Sequence, residues 1–252
     1  HELDKGWQNT SAFVADSKVQ VLSANLVKVN GEMAFPGQAP SKIYSLGDIR
    51  VGVIGATTEG MDHLVSKSAF DGLAIQPVLE TVGPEVARLR PQVDLVVLLT
   101  HIGVEEDQAI ADAVPGIDLI VGGHSHTYQT PAIQAGSTWI VQAGSYARSL
   151  GTLQIRVGEQ GGIESLEYTL VDLLPSAAPA EPRPEVQAMV AGYDEQIRAF
   201  YDVEIGTCSQ TLTRDYHRQS PLGSWATDML RAETGTDLAM YNGGGLRSDL
   251  PE

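Results

Sequence analysis

Cysteine is almost missing from this sequence, with Cys208 the single one in 252 residues. That excludes an intrachain disulfide and a cysteine-based zinc site, but fixes no compartment. Long apolar runs are missing too. The longest uninterrupted one, Leu95 to Leu99, falls far short of the roughly 18 residues that cross a bilayer, so no membrane-spanning helix is expected. Basic residues are scarce: 16 Lys and Arg stand against 32 Asp and Glu, a net charge of −16. Such a balance argues against a nucleic-acid polymer as partner. It also requires any anionic substrate to meet local cations, from metals or from particular arginines. The first residues show neither an initiator Met nor a signal-peptide pattern. The chain opens on His1 in an already polar stretch, and is expected to be a fragment or a processed product.

What is present is an ordinary globular composition, 42% apolar and 19% charged, with 26 Gly and 13 Pro. Strands are expected over Val19–Ala24, Ile43–Leu46 and Ile49–Gly55, the last two joined at Gly47-Asp48. Pro77–Arg90 has helical apolar spacing and ends at Pro91. Val93–Thr100 is the most strand-like segment and, apolar at nearly every position, is expected to be buried on both faces. A short helix over Glu105–Val114, a strand over Ile117–Val121, and strands over Trp139–Gln142, Gly151–Val157 and Ile163–Leu173 follow. The proline-rich stretch Pro175–Pro184 reads as a linker. It divides a main domain, residues 1–174, from residues 185–252. There a helix over Glu185–Tyr201, a strand over Val203–Leu212, a helix over Pro221–Thr234 closed by Gly235, and a strand over Asp237–Tyr241 are expected. This second part is thin for an independent domain.

The chemistry concentrates in Gly122-Gly123-His124-Ser125-His126-Thr127. In extended backbone, residues two apart point to one side, roughly 6.5–7 Å apart. That is wide for two ligands on one small cation, and suits imidazoles serving each of two metals about 3.5–4 Å apart. His101 follows the strand ending at Thr100, so three of the six histidines lie at the carboxyl ends of two strands, where open α/β sheets place ligands. Any one of them alone fits a structural histidine; the joint arrangement, with glycine neighbours, points to metal. Three imidazoles suffice for one Zn²⁺. Glu105-Glu106-Asp107 reads as a solvated first helical turn favoured by the dipole. His63 and His217 read as surface residues, and Ser145 lacks a base that would make it a nucleophile.

Thr100-His101-Ile102-Gly103, Asp118 to Thr127 and Val141-Gln142-Ala143-Gly144-Ser145-Tyr146 together resemble the calcineurin-like metallophosphatases, and within them the 5′-nucleotidases. The opening His1-Glu2-Leu3-Asp4, Ser23-Ala24-Asn25 and Asn242-Gly-Gly-Gly-Leu-Arg247 extend the resemblance, in order, over most of the chain. It implies an α/β fold with the layered αββα sandwich of that family, followed by part of a second α/β domain. It also implies two divalent metal ions, such as Zn or Mn. His101 and His124 resemble ligands of the second metal, and His126 a position serving the first. His1 resembles the catalytic histidine, held by Asp4. A nearby carboxylate favours imidazolium, and a cation there can stabilise charge on a phosphoryl oxygen; the same two residues also suit a simple helix cap. Asn242, Gly244 and Arg247 resemble substrate contacts. Three glycines let backbone N–H groups approach an anion and Arg offers a fork for phosphate, although a plain tight turn has the same composition. Arg218 is a weaker candidate, for Tyr216 occupies the place where an arginine is expected between Arg214 and Arg218.

The implied activity is hydrolysis of nucleoside 5′-phosphates by metal-activated water, with the substrate entering between the domains. Outside these residues lie the family's Asp-x-His and Gly-Asp blocks and the Asn ahead of His1, so the fragment alone is expected to be inactive. Rival readings are a 2′,3′-cyclic nucleotide phosphodiesterase, a UDP-sugar hydrolase, a thiosulfohydrolase, or a non-catalytic binding module. A periplasmic, secreted or cell-surface location is implied by the resemblance alone. Metal identity, oligomeric state and base-binding residues are not legible.

Overall fold

The computed structural model describes residues 3–173, 181–204 and 206–251. The chain falls into two compact units, His1–Pro179 and Ala180–Glu252. The linker expected over Pro175–Pro184 lies largely outside the described residues.

In the first unit the elements run α1 (Trp7–Asp16), β1 (Leu26–Lys28), β2 (Ser41–Leu46), β3 (Ile49–Thr57), α2 (Met61–Leu64), α3 (Lys67–Phe70), β4 (Leu73–Ile75), α4 (Val78–Leu89), β5 (Leu95–His101), α5 (Val104–Ala113), β6 (Leu119–Val121), β7 (Ile133–Ala135), β8 (Thr138–Val141), β9 (Ser149–Val157) and β10 (Ile163–Asp172). Six strands form a mixed sheet in the order β2-β3-β5-β6-β8-β7. The middle four, β3, β5, β6 and β8, are parallel, so their carboxyl ends share one edge. β2 and β7 close the sheet with antiparallel pairings. The class is thus α/β, as the resemblance implies.

Period-2 alternation sorts the central strands. Ile54, Ala56, Val96, Leu98, Ile120 and Ile140 project to one face and pack with Val78, Val82, Val86 and Leu89 of α4 and Ile110 of α5. α4 carries these residues at helical spacing, which is why it lies on the sheet. β5 departs from the expectation of burial on both faces: Leu99 is 42% exposed and His101 is exposed, so its last residues alternate. At the amino ends of these strands, Asp118 Oδ2 accepts from Arg90 Nη1 at 2.5 Å and from the Val96 N–H at 2.6 Å. Arg90 Nη2 also donates to the Val93 and Asp94 carbonyls. One ion pair therefore pins α4's end to the start of β5 and β6.

Val19–Ala24 does not become a strand. Leu22 makes one isolated bridge to Ala39, and the segment instead crosses tightly over β3, where a Cβ on Gly55 would collide with the Leu22 carbonyl. The nearby strand is β1, paired with β4. Asn25 is fully buried there, its amide donating to the Thr57 carbonyl at 2.7 Å and accepting from the Thr57 N–H at 3.0 Å. β9 and β10 form a separate antiparallel hairpin.

The second unit holds α6 (Pro184–Tyr201) and α7 (Pro221–Thr234). α7 begins with Ser220 accepting from the Gly223 N–H at 3.1 Å and ends at Gly235 with φ 65°. The strands expected over Val203–Leu212 and Asp237–Tyr241 are not formed among the described residues. Leu212 bridges Leu250, whereas Leu238 and Met240 are 74% and 86% exposed, with no neighbouring strand among the described residues to bury them.

Candidate metal and phosphate site

His101 ends β5 and His124 follows β6, two neighbouring parallel strands in which Leu99 pairs with Val121. The Gly122 N–H donates to the Val141 carbonyl at 2.9 Å, and Gly123 then carries the chain over His101. A Cβ on Gly123 would stand 3.1 Å from His101 Nδ1, so the small residue permits this crossing. The result is a pair of imidazoles with centroids 5.1 Å apart, edge to face at 66°.

The loop is not extended. His124 has φ 77° and His126 φ 57°, both in the left-handed region. The alternation argument for i and i+2 therefore does not apply. The two side chains diverge: His124 meets His101, and His126 lies against the Tyr146 ring at 5.6 Å. Non-glycine residues in this region cost of order 1 kcal/mol or more each, and such strain gathers at functional sites. Tyr146 and Ala147, at φ 58° and 50°, continue it beside His126, with the Arg148 guanidinium 5.7 Å from the Tyr146 centroid.

The facing rings of His101 and His124 and the cradle left by Gly123 fit two ligands of one borderline cation. Among the described residues no group of three or more His, Cys, Asp or Glu converges as a metal shell does. His126 is thus no third ligand of the His101–His124 pair. Its different direction is compatible with service to a separate ion.

Two further residues hold this loop, and spacing alone does not single them out. Gln142, just beyond β8, is 2% exposed. Its Oε1 accepts from the Thr127 N–H at 2.6 Å and from the Ser125 hydroxyl at 3.1 Å, while Nε2 donates to the Gly123 carbonyl at 3.3 Å. Asp107 is the second. It is fully buried, a correction to the solvated-turn reading that holds for its exposed neighbours Glu105 and Glu106. Its Oδ1 accepts from the Thr100 hydroxyl at 2.6 Å. Burial pushes this carboxyl up to about 6; the Thr100 hydrogen bond opposes that rise and the Glu106 charge adds to it.

His1 lies outside the described residues, so its pairing with Asp4 is not placed. α1 takes Gly6 as its N-cap residue. His63 and His217 are exposed, as expected.

In the second unit the glycine loop is a short 3₁₀ turn, Gly243–Gly245, with Asn242 Oδ1 accepting from the Gly244 N–H at 3.0 Å. A Cβ on Gly243 would meet the Asp215 carbonyl at 2.6 Å, so the loop passes backbone to backbone. Arg247 Nη1 donates to the Gly244 carbonyl at 3.4 Å. Arg214 is engaged structurally, with Nη1 on the Leu246 carbonyl and its guanidinium 4.8 Å from the Tyr216 centroid. A cavity of about 340 Å³ brings together Tyr216, Arg218, Ser220, Ser224, Tyr241 and Gly243 at the amino end of α7. The helix N-terminus and Arg218 favour an anion there, and Asp215 in the same lining opposes it.

These features define an α/β protein with two histidines meeting at the carboxyl edge of a central mixed sheet. The crystal structure of the calcineurin-like phosphoesterase YfkN from Bacillus subtilis shares the fold (TM-score 0.64, 17% identity, 80% of this chain and 69% of that one). The sequence comparisons are narrower. Residues 202–252 match the family described as "5′-nucleotidase, C-terminal domain". Human 5′-nucleotidase is 26% identical, over 100% of this chain and 49% of its own length. The Bacillus subtilis "trifunctional nucleotide phosphoesterase protein YfkN" is 27% identical over 87% of this chain and 16% of its own. The 5′-nucleotidase precursor from Thermus thermophilus superimposes with a TM-score of 0.87 at 26% identity, covering 100% of this chain and 54% of that one. The chain is thus a relative of the 5′-nucleotidases in sequence and in fold, and spans about half the length of the 5′-nucleotidases it matches.

Proposed function

We propose that the protein is a metal-dependent phosphoesterase acting on nucleotides, releasing phosphate from nucleoside 5′-phosphates. The observation that carries this reading is the His101–His124 pair, two imidazoles 5.1 Å apart at the carboxyl ends of adjacent parallel strands. Its relatives named as nucleotidases and as a nucleotide phosphoesterase support the substrate class. In this reading His101 and His124 hold one divalent cation and His126 contributes to a second. Such cations, when bound, polarise phosphoryl oxygens and supply an activated water. The same reading assigns to His1, with Asp4 as its carboxylate partner, the role of meeting the negative charge that grows on the phosphoryl group. Asn242, Gly244, Arg247 and Arg218 contact the substrate's anionic and polar groups. A periplasmic, secreted or cell-surface location belongs to the same proposal and rests on the family resemblance.

The test is phosphate release by the full-length protein from nucleoside 5′-monophosphates, set beside 2′,3′-cyclic nucleotides, UDP-sugars and sulfur esters. Release that a chelator abolishes and added Mn²⁺ or Zn²⁺ restores is the expected result. His101→Ala and His124→Ala are each expected to lower kcat/KM at least 100-fold. Metal-independent turnover, or none with any ester, overturns the reading.

A further inference from the structure

The double-histidine loop is gripped from behind by buried polar groups that, under the proposed function, neither ligate nor touch substrate. Gln142 spans the loop, one amide end on Thr127 and Ser125 and the other on the Gly123 carbonyl. A single side chain thereby closes both ends of the segment that carries His124 and His126. Ser125 is tied onward, its Oγ accepting from the Val104 N–H at 3.2 Å at the start of α5. One turn along α5, Asp107 reaches under the same loop. Its Oδ1 holds the hydroxyl of Thr100, the residue before His101.

Asp107 Oδ2 is the anomaly. It is buried and has no hydrogen-bond partner among the described residues. It occupies the space a Cβ on Gly122 would need, and Gln142 Nε2 lies 3.3 Å from that same point. Nε2 carries two protons, and the hydrogen bond to Gly123 uses one. An unfilled acceptor and an amide with a proton to spare thus flank one glycine, directly behind two histidines in strained backbone. Leaving a buried oxygen unfilled costs about 1–3 kcal/mol, so its retention calls for an explanation.

We propose that Gln142 and Asp107 are the positioning residues of the imidazole site. Gln142 sets the left-handed turn that presents His124 and His126. Asp107 couples that turn to His101, holding Thr100 with one oxygen and filling the space against Gly122 with the other. The inference rests on the metal-binding reading. A cation imposes bond lengths of about 2.0–2.1 Å on imidazole nitrogens, so a loop free to relax from its left-handed conformers loses the spacing that binding needs.

The experiment is Co²⁺ binding to the full-length protein, by chelator competition and by the visible ligand-field spectrum, in the wild type, His101→Ala, Gln142→Met, Gln142→Glu and Asp107→Asn. Methionine keeps the volume of Gln142 and removes both hydrogen-bonding ends; glutamate keeps the acceptor on Thr127 and loses the donor. The expected result is a 10- to 100-fold loss of Co²⁺ affinity with a changed spectrum in Gln142→Met, in line with residues that orient ligands from behind. Smaller losses are expected for Gln142→Glu and Asp107→Asn. If Gln142→Met does not fold, Gln142→Glu carries the comparison. Wild-type binding with unaltered affinity and spectrum in the Gln142 and Asp107 variants overturns the positioning role and leaves the metal reading standing. Absence of Co²⁺ binding in the wild type overturns both.

Discussion

At the scale of single residues, the two decisive groups are ones that charge and spacing conceal. Asp107 titrates near 6 because it is buried, and the sign of its effect follows. The folded chain holds this proton more tightly than the unfolded chain, so the contribution to stability is full below about pH 4 and is lost as pH rises through about 6. Urea unfolding of metal-free protein is expected to show the wild type losing about 2 kcal/mol relative to Asp107→Asn between pH 4.5 and 7.5, a magnitude that follows from about 1.4 kcal/mol per unit of pKa shift. A constant difference between the two proteins contradicts this. The acidic run Glu105-Glu106-Asp107 reads as solvated because two of its three members are. Burial of the third depends on Thr100 of β5 and Gly122, just past β6, closing over it, a tertiary fact. Gln142 carries no charge and no spacing signature, and only its burial marks it.

At the scale of elements, what is legible in the sequence is what local chemistry decides. The bounds of α7 are readable because Ser220, Pro221 and Gly235 supply cap, first-turn residue and left-handed stop. The β2–β3 hairpin is readable because Gly47, at φ 63°, turns between two alternating runs. Elements that need a distant partner mislead: Val19–Ala24, Val203–Leu212 and Asp237–Tyr241 have strand composition without a neighbouring ladder among the described residues. The histidine loop misleads because His124 and His126 themselves take left-handed backbone, which breaks the alternation on which the i, i+2 argument stands. The structure adds expectations of its own here. Gly55→Ala places a methyl against the Leu22 carbonyl and is expected to cost several kcal/mol in chemical unfolding, where an ordinary strand Gly→Ala costs little. Asp118→Ala strips the acceptor from both Arg90 and the Val96 N–H and is expected to cost about 2 kcal/mol or more. Because it acts at the opposite ends of the strands from His101 and His124, the same variant should leave Co²⁺ affinity unchanged.

At the scale of the whole molecule, the net charge of −16 and the proposed anionic substrate oppose each other. Screening shortens the range of that repulsion to about 8 Å at physiological salt. Raising ionic strength from about 0.01 to 0.15 M is therefore expected to increase kcat/KM for a nucleoside 5′-phosphate, the opposite of the trend for a basic groove. A fall of kcat/KM over that range would show that local cations dominate the field. Four parallel strands with a common carboxyl edge explain why histidines far apart in sequence meet without a dedicated scaffold.

The backbone at His124 and His126 also limits what can replace them. Positive φ admits glycine freely and, among residues with side chains, favours Asn, Asp and His, while β-branched residues are strained there. Three of those four also carry an atom able to bind a divalent cation. A turn of this shape therefore narrows the substitutions open to it: a variant that keeps the fold tends either to keep an atom able to bind a cation or to become glycine.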